Sequence, residues 1–182
     1  MQEVVLSICL GVGLAAAVGF RVFLPLLVVS LAGYHDIIPL NGDWQWVGGT
    51  TTLIVLSVAT IIEILAYYIP WFDNLLDAIA VPLAAIAGTA VMVSTIVDLS
   101  PVATWALAII AGGGTAATVK STMGASRLTS TATTGGLANP IIATAETGTA
   151  TIMSVVSVFL PLIGIVLVIL LFFGLRKVYN KV

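Results

Sequence analysis

Two long stretches of this chain carry almost no charge, and they limit what it can fold into more than any other feature. Between Glu3 and Asp36 the only charged residue is Arg21, and from Thr147 to Leu175 there is none. A helix crosses the hydrocarbon of a bilayer with roughly 20 apolar residues. Strands of a membrane barrel alternate in segments of about ten, and these runs do not alternate. Composition agrees: the chain is 60% hydrophobic and 8% charged, where soluble domains are about 45–50% apolar and about 25% charged. The chain reads as all-α, a polytopic helical membrane protein that forms one integral domain over residues 1–182.

The same inventory excludes several classes. No basic patch points to nucleic acid. Cys9 is the only cysteine, so there is no intrachain disulfide and no thiol-ligated metal. His35 is a lone loop histidine beside Asp36, with no second His or Cys at metal spacing, so neither metal nor cofactor is expected. The N-terminus reads Met-Gln-Glu, without the basic n-region of a secretory signal. The first apolar run is therefore read as a retained membrane helix. No nucleophile elbow, phosphate-binding Gly-Lys-Ser/Thr sequence or His-Glu-x-x-His is present, and no catalytic residue is assigned.

Proline, glycine and polar residues divide the chain. The first helix is expected from about Val4 to Ala32, with Arg21 and Pro25 inside it. A loop follows, in which Trp44 and Trp46 suit an interfacial belt. The second helix runs from about Thr50 to Ile69 and stops at Pro70. The third occupies the apolar part of the segment that follows. Ser100 and Pro101 mark the start of a fourth, as N-cap and first helical residue, which continues to about Lys120. A final helix is expected over Thr151–Leu175, ahead of a basic tail.

Between the fourth and last helices lies SRLTSTATTGGLANPIIATAE, Ser126 to Glu146. If its uncharged part, Leu128–Ala145, stays on one side, Lys120 and Arg127 face the opposite side from Arg176, Lys177 and Lys181. If it crosses, all five lie on the cytoplasmic side, as positive charge does in membrane proteins. The crossing model has about six membrane elements, one of them broken or re-entrant, and places both termini in the cytoplasm of a cell whose inner membrane holds the protein. Three plus three elements raise an inverted repeat of the kind transporters use. GLAAAVGFR and GGTAATVK are its thin sequence support.

Four segments carry a family resemblance: GLAAAVGFRVFLPLL, EILAYYIPWFDNLLDAIAVPLAAIAG, AGGGTAATVKSTMGASR and STATTGGLANPIIATAET. Together they resemble the bacterial membrane proteins grouped as domain of unknown function 4126. Members typically close the last segment with a Ser…Glu-Asp ending. Here Thr144 and Glu146 keep part of that, and Thr147 stands where the second acid is usual. The resemblance implies a membrane fold and no activity.

Candidate functional residues follow from the cost of polar groups in a bilayer. Charges there cost about 2.5–3.5 kcal/mol on insertion scales and are paired or functional. Arg21 is either a structural partner of Glu63 or Glu146, or a cation that holds an anionic substrate group. Glu63 is either a proton or sodium site or the counter-ion of Arg21. Asp73 suits a helix N-cap, which leaves Asp77, four residues on, as the functional candidate of the two. In the polar tract Gly135 and Gly136 interrupt a helix, and Asn139 and Pro140 begin another. Irregular backbone at membrane depth is tolerated where it lines a watery cavity. The hydroxyls of Thr131, Thr133 and Thr134 then replace water around an ion or polar solute, with Glu146 supplying charge. The competing reading is that these threonines bond back to their own helix. Gly11, Ala15 and Gly19, like Gly112 and Ala116, have the spacing of small-residue helix packing.

These features lead to a small gradient-driven transporter or channel-like permease for a small solute or ion, with its pathway along residues 128–145. It sits in the lipid bilayer as a homo-oligomer, most simply a dimer. The alternative is a non-transporting scaffold, an assembly or lipid-interacting factor. A lipid-directed membrane enzyme has no motif behind it.

Overall fold

The computed structural model describes the backbone of residues 1–179, and their side chains except at 70–75 and 178–179. Among the described residues every regular element is helical. Helix α1 spans Gln2–Phe20 and α2 spans Phe23–Tyr34, so the expected first helix is broken. The break is at Arg21, which is extended at φ −137° and ψ 128°. Pro25 explains its place, because a proline clashes with the carbonyl four residues earlier in a continuous helix, and that residue is Arg21.

After the break the chain folds back. Val29 and Ala32 of α2 share a buried cluster with Leu10, Leu14 and Val18 of α1, so the two helices form a hairpin. A 3-10 segment, Gly42–Gly48, closes the far end, where Ser30 donates its hydroxyl to the Val47 carbonyl at 2.6 Å. Helix α3, Thr50–Ala66, returns to the Arg21 end, and α4, Pro70–Thr95, leaves it again. The Asn41 N–H donates to the Ser94 carbonyl at 2.9 Å, pinning the end of α4 to that far loop.

Helix α5, Pro101–Leu107, begins as its sequence predicts: Pro101 opens it and Ser100 Oγ accepts the Ala103 N–H at 3.4 Å. A π-turn, Ala108–Gly113, joins it to α6, Gly114–Thr134. Small residues let α6 approach α4 and α1. A Cβ added at Gly112 would stand 2.6 Å from the Gly88 carbonyl oxygen, and one at Gly19 would collide with Val119. The expected packing role of Gly19, Gly112 and Ala116 is what these contacts display.

Pro101–Thr134 forms one continuous helical run of 34 residues, part of it apolar enough to span a membrane. The expected end at Lys120 was too early. At 1.5 Å per residue the run is about 50 Å long, roughly 20 Å more than the hydrocarbon is thick. Leu128–Thr134 is therefore the last part of this long helix rather than half of a separate broken span. Helix α7, Asn139–Phe159, follows after the turn at Gly135 and Gly136, whose φ angles of 64° and 86° are left-handed. Asn139 is the first residue of α7, not its N-cap; Ala138 precedes it in that position.

The expected last helix is also divided. Leu160 takes φ −139° and ψ 66°, because the residue before a proline is pushed out of helical space, and α8 spans Pro161–Tyr179. Gly164 lies against Ser157 and Gly13, and Val168, Leu171 and Phe172 pack with Ala16, Ala17 and Phe20. Helices α1 and α8 thus run parallel, so the start of α1 and the end of α8 lie at opposite ends of the bundle. That departs from the same-side expectation, which counted α1 and α2 as one crossing and the 128–145 tract as another.

Among the described residues four helices are long and apolar enough to cross a membrane, or five if the 3-10 segment and α3, bent by 60°, are taken as one span. The chain is thus a multi-pass helical membrane protein, and the described residues give four or five of the six membrane elements expected.

Candidate functional site

The break at Arg21 leaves the first amides of α2 without helical acceptors, and Glu63 takes them. The Val22 N–H donates to Oε1 of Glu63 at 2.7 Å and the Phe23 N–H donates to Oε2 at 3.0 Å. Glu63 reaches them because α3 packs antiparallel to α2 and its last two turns arrive beside the break. The carboxylate is buried, and both of its oxygens bind the positive end of a helix, where negative charge is favoured. Glu63 is therefore bonded to the backbone rather than ion-paired with Arg21.

Arg21 points the other way, into α7. Its Nε donates to Thr147 Oγ1 at 3.0 Å and its Nη2 to the Ala143 carbonyl at 2.8 Å. Glu146 Oε2 lies 3.8 Å from Nη2. The residue is 0% exposed, and its Nη1 has no hydrogen-bond partner. Thr147, at the position where an acid was expected from the family resemblance, is thus a direct partner of Arg21.

Two further cations complete the site, and both come from α6. Arg127 forms a buried ion pair with Glu146, contacting both carboxylate oxygens through Nε and Nη2. Lys120 donates from Nζ to the Tyr67 hydroxyl at 3.1 Å and to the Phe20 carbonyl at 3.4 Å. Lys120 and Arg127 are seven residues apart, so they share a helix face, and both meet the same ring. Tyr67 has the Arg21 guanidinium carbon 4.1 Å from its ring centroid, that of Arg127 at 4.3 Å and Lys120 Nζ at 5.0 Å. Cations over an aromatic face are attracted by its quadrupole, by about 2 kcal/mol or more when desolvated.

The Tyr67 hydroxyl also lies 3.5 Å from Asp77 Oδ1, which ties Asp77 to the edge of the cluster. The expectation for Asp73 concerns a side chain outside the described residues. Arg21, Glu63, Asp77 and Glu146, named from the sequence as charges that need partners, are therefore gathered at one end of the bundle.

The polar tract does not join them. Thr131, Thr133, Thr134 and Gly135 are exposed. Thr133 Oγ1 donates to the Thr129 carbonyl at 2.8 Å, and Thr134 Oγ1 to the Ser130 carbonyl at 2.7 Å. Thr131 Oγ1 accepts from Nδ2 of Asn139 at 3.2 Å, which closes the turn around Gly135 and Gly136. A hydroxyl that donates to the preceding turn of its own helix has no proton left for a solute, though its oxygen can still accept. The tract is a helix end and a turn, set apart from the ionic cluster.

Sequence reading missed Lys120, Arg127, Thr147 and the central place of Tyr67. The signal for two of them was there: Lys120 and Arg127 stand a heptad apart, but ending the fourth helix at Lys120 removed their common face.

Two cavities frame the cluster. One of about 240 Å³ lies between α2, α3 and α4 and touches it at Glu63 and Tyr67. A larger one, about 570 Å³, opens at the other end of the bundle between Glu3, Ser7, Thr95, Asp98 and Pro161.

The family model described as "Domain of unknown function (DUF4126)" matches residues 8–181. No curated protein and no solved structure matches the chain.

Proposed function

We propose, for a chain that belongs to the DUF4126 family of integral membrane proteins, that it is a gradient-driven carrier of a small solute or ion. Its working site is the cluster at the break between α1 and α2. The observation that carries this reading is the broken helix itself: Glu63 holds both freed amides, beside three buried cations. Discontinuous helices that present their ends to charged groups are how secondary carriers build substrate sites, and buried charges within membrane helices mark such pathways. The 570 Å³ cavity opens towards one end, the cluster lies at the other, and the buried residues Leu14–Phe20 of α1 separate them. That is the arrangement of a carrier closed between its two openings.

The basic groups orient the protein. Arg21, Lys120 and Arg127 lie at the bundle end to which α8 delivers Arg176 and Lys177. This end faces the cytoplasm under the positive-inside rule, and the N-terminus faces outward, the membrane being a bacterial inner membrane. A homodimer remains part of the reading. The exposed stripe of Gly114, Thr118, Ser121 and Ala125 along α6 suits close contact with a second copy.

The scaffold alternative is favoured by one observation: the threonine hydroxyls are satisfied within their own helices. The two readings separate in proteoliposomes that hold pH- and potential-sensitive dyes, to which organic acids, inorganic anions, cations and amines are added outside. A carrier gives a dye response to one class, and the folded Glu63→Gln variant loses it. A scaffold gives none with any class.

A further inference from the structure

We propose that the cluster binds a small oxyanion, a carboxylate or phosphate-type group, between Arg21 and Lys120 against the ring of Tyr67. This deepens the carrier reading, on which it rests for its role in transport, by naming the class of solute. Three side-chain observations converge on it.

The first is an unmet donor. Arg21 is 0% exposed, its Nε and Nη2 are bonded to Thr147 and Ala143, and its Nη1 has no acceptor. A buried donor left unmade costs the full desolvation of that group, so such atoms are rare and require an explanation. The second is Lys120, 2% exposed, whose acceptors among the described residues are a phenol and a carbonyl, both neutral. Among the described residues no carboxylate pairs with it. Both cations lie over the same ring, at 4.1 Å and 5.0 Å from its centroid, so their unspent charge converges on one place.

The third observation is how the carboxylates are used. Glu63 gives both oxygens to the α2 amides, and Glu146 gives both to Arg127, approaching Arg21 only at 3.8 Å. Asp77, half-buried, meets the cluster through the Tyr67 hydroxyl. Among the described residues three buried cations face two buried carboxylates, each already engaged, with Asp77 a third, half-buried acid at the Tyr67 hydroxyl, which leaves Arg21 Nη1 short of an acceptor. A guanidinium and an ammonium so placed match an oxyanion: the planar fork binds two oxygens and the ammonium adds a point charge.

Size follows from access. The cavity that reaches Tyr67 and Glu63 holds about 240 Å³ and is lined by neither Arg21 nor Lys120, which favours a small oxyanion over a nucleotide. Its wall includes Ile62, which is 61% exposed on the outer surface. The oxyanion therefore has two sources to distinguish, a free solute or the phosphate of a lipid headgroup.

The test uses the full chain. In neutral detergent, with chloride as the only other small anion and ionic strength held constant, sodium acetate and inorganic phosphate are titrated while thermal unfolding is followed. In a second arm the protein is placed in nanodiscs of phosphatidylcholine with or without phosphatidic acid. A saturable rise of about 5 °C at a hundredfold excess over the dissociation constant is expected in one arm, and the arm that responds identifies the source.

Lys120→Met removes the ammonium at similar volume and leaves the Arg127–Glu146 pair alone. It is expected to fold at least as well as the parent and to weaken the response at least tenfold. Glu146→Gln, which removes the nearest negative charge from Arg21 and Arg127, is expected to strengthen it. No rise in either arm overturns the inference, as does an equal rise in folded Lys120→Met, which marks a nonspecific salt effect. Flux of a cation or neutral solute without any oxyanion response overturns the solute class and leaves the carrier standing. Oxyanion binding without flux of any class overturns the carrier and leaves the site.

Discussion

Glu63 and Val22 stand 41 positions apart in the chain, yet the carboxylate of one caps the helix that begins at the other, with Oε1 accepting the Val22 N–H at 2.7 Å. A helix ordinarily satisfies its first amides with a local Ser, Thr, Asp or Asn. Here α2 has no local side-chain cap, and a buried acid from a neighbouring helix does that work. The break, the acid and the cluster are therefore one device, and disturbing any of them disturbs the others.

Glu63→Gln replaces one acceptor with a donor that faces a backbone N–H. The variant is expected to be less stable by about 1–3 kcal/mol, the cost of an unmade buried hydrogen bond. Reversible unfolding in mixed detergent micelles measures this. Unchanged stability would mean that the α2 amides find acceptors without Glu63.

Arg127→Met leaves Glu146 buried with only the looser contact to Arg21. Removing one member of a buried pair costs about 3–5 kcal/mol, whereas replacing both with apolar residues is often neutral. The Arg127→Met/Glu146→Met double variant should therefore recover most of what the single variant loses. A double-mutant cycle measures the coupling. Simple additivity would contradict the pairing.

The threonine tract gives the opposite expectation. Thr133→Val alters an exposed position and should change stability by no more than about 0.5 kcal/mol, whereas Thr131→Val also removes an acceptor of the buried Asn139 amide and should cost about 1 kcal/mol. Gly135→Ala places a side chain at φ 64° and should cost roughly 1–2 kcal/mol. Thermal unfolding of the three variants side by side checks these statements. A large loss from either threonine change would return functional weight to the tract.

What the sequence made legible, and what it did not, divides along physical lines. Charge-free runs revealed the membrane class, since few soluble folds dispense with charge for so long. Ser100 with Pro101 marked a helix start because capping is local chemistry. Arg21, Glu63, Asp77 and Glu146 could be singled out because a charge in such surroundings must find a partner. Which partner was hidden, because ion pairs across 19 or 125 positions depend on how helices pack. The hairpin of α1 and α2 was written in Pro25, four residues after Arg21, but an apolar run of that length reads more readily as one span. The threonines misled because their composition is polar while their hydroxyls are spent on the preceding turn of helix, which only coordinates reveal.

The parallel course of α1 and α8 makes topology testable without any solute. In a Cys9→Ala background, single cysteines at Gln2 and at Lys177 should label from opposite sides of the membrane with an impermeant thiol reagent. Labelling of both from one side would contradict the bundle's connectivity.

The most direct test of the carrier reading is access to the cluster itself. Thr147 donates its hydroxyl to the Ala143 carbonyl at 2.9 Å and accepts from Arg21 Nε at 3.0 Å, and a cysteine there in the Cys9→Ala background reports whether water reaches Arg21. Cells and inverted vesicles would be treated with the same impermeant thiol reagent, with monodisperse elution of the purified variant as the check on folding. A carrier that opens alternately to each side predicts labelling of Thr147→Cys from both. Labelling from one side only, or from neither, would contradict it and leave the cluster as a lock between helices.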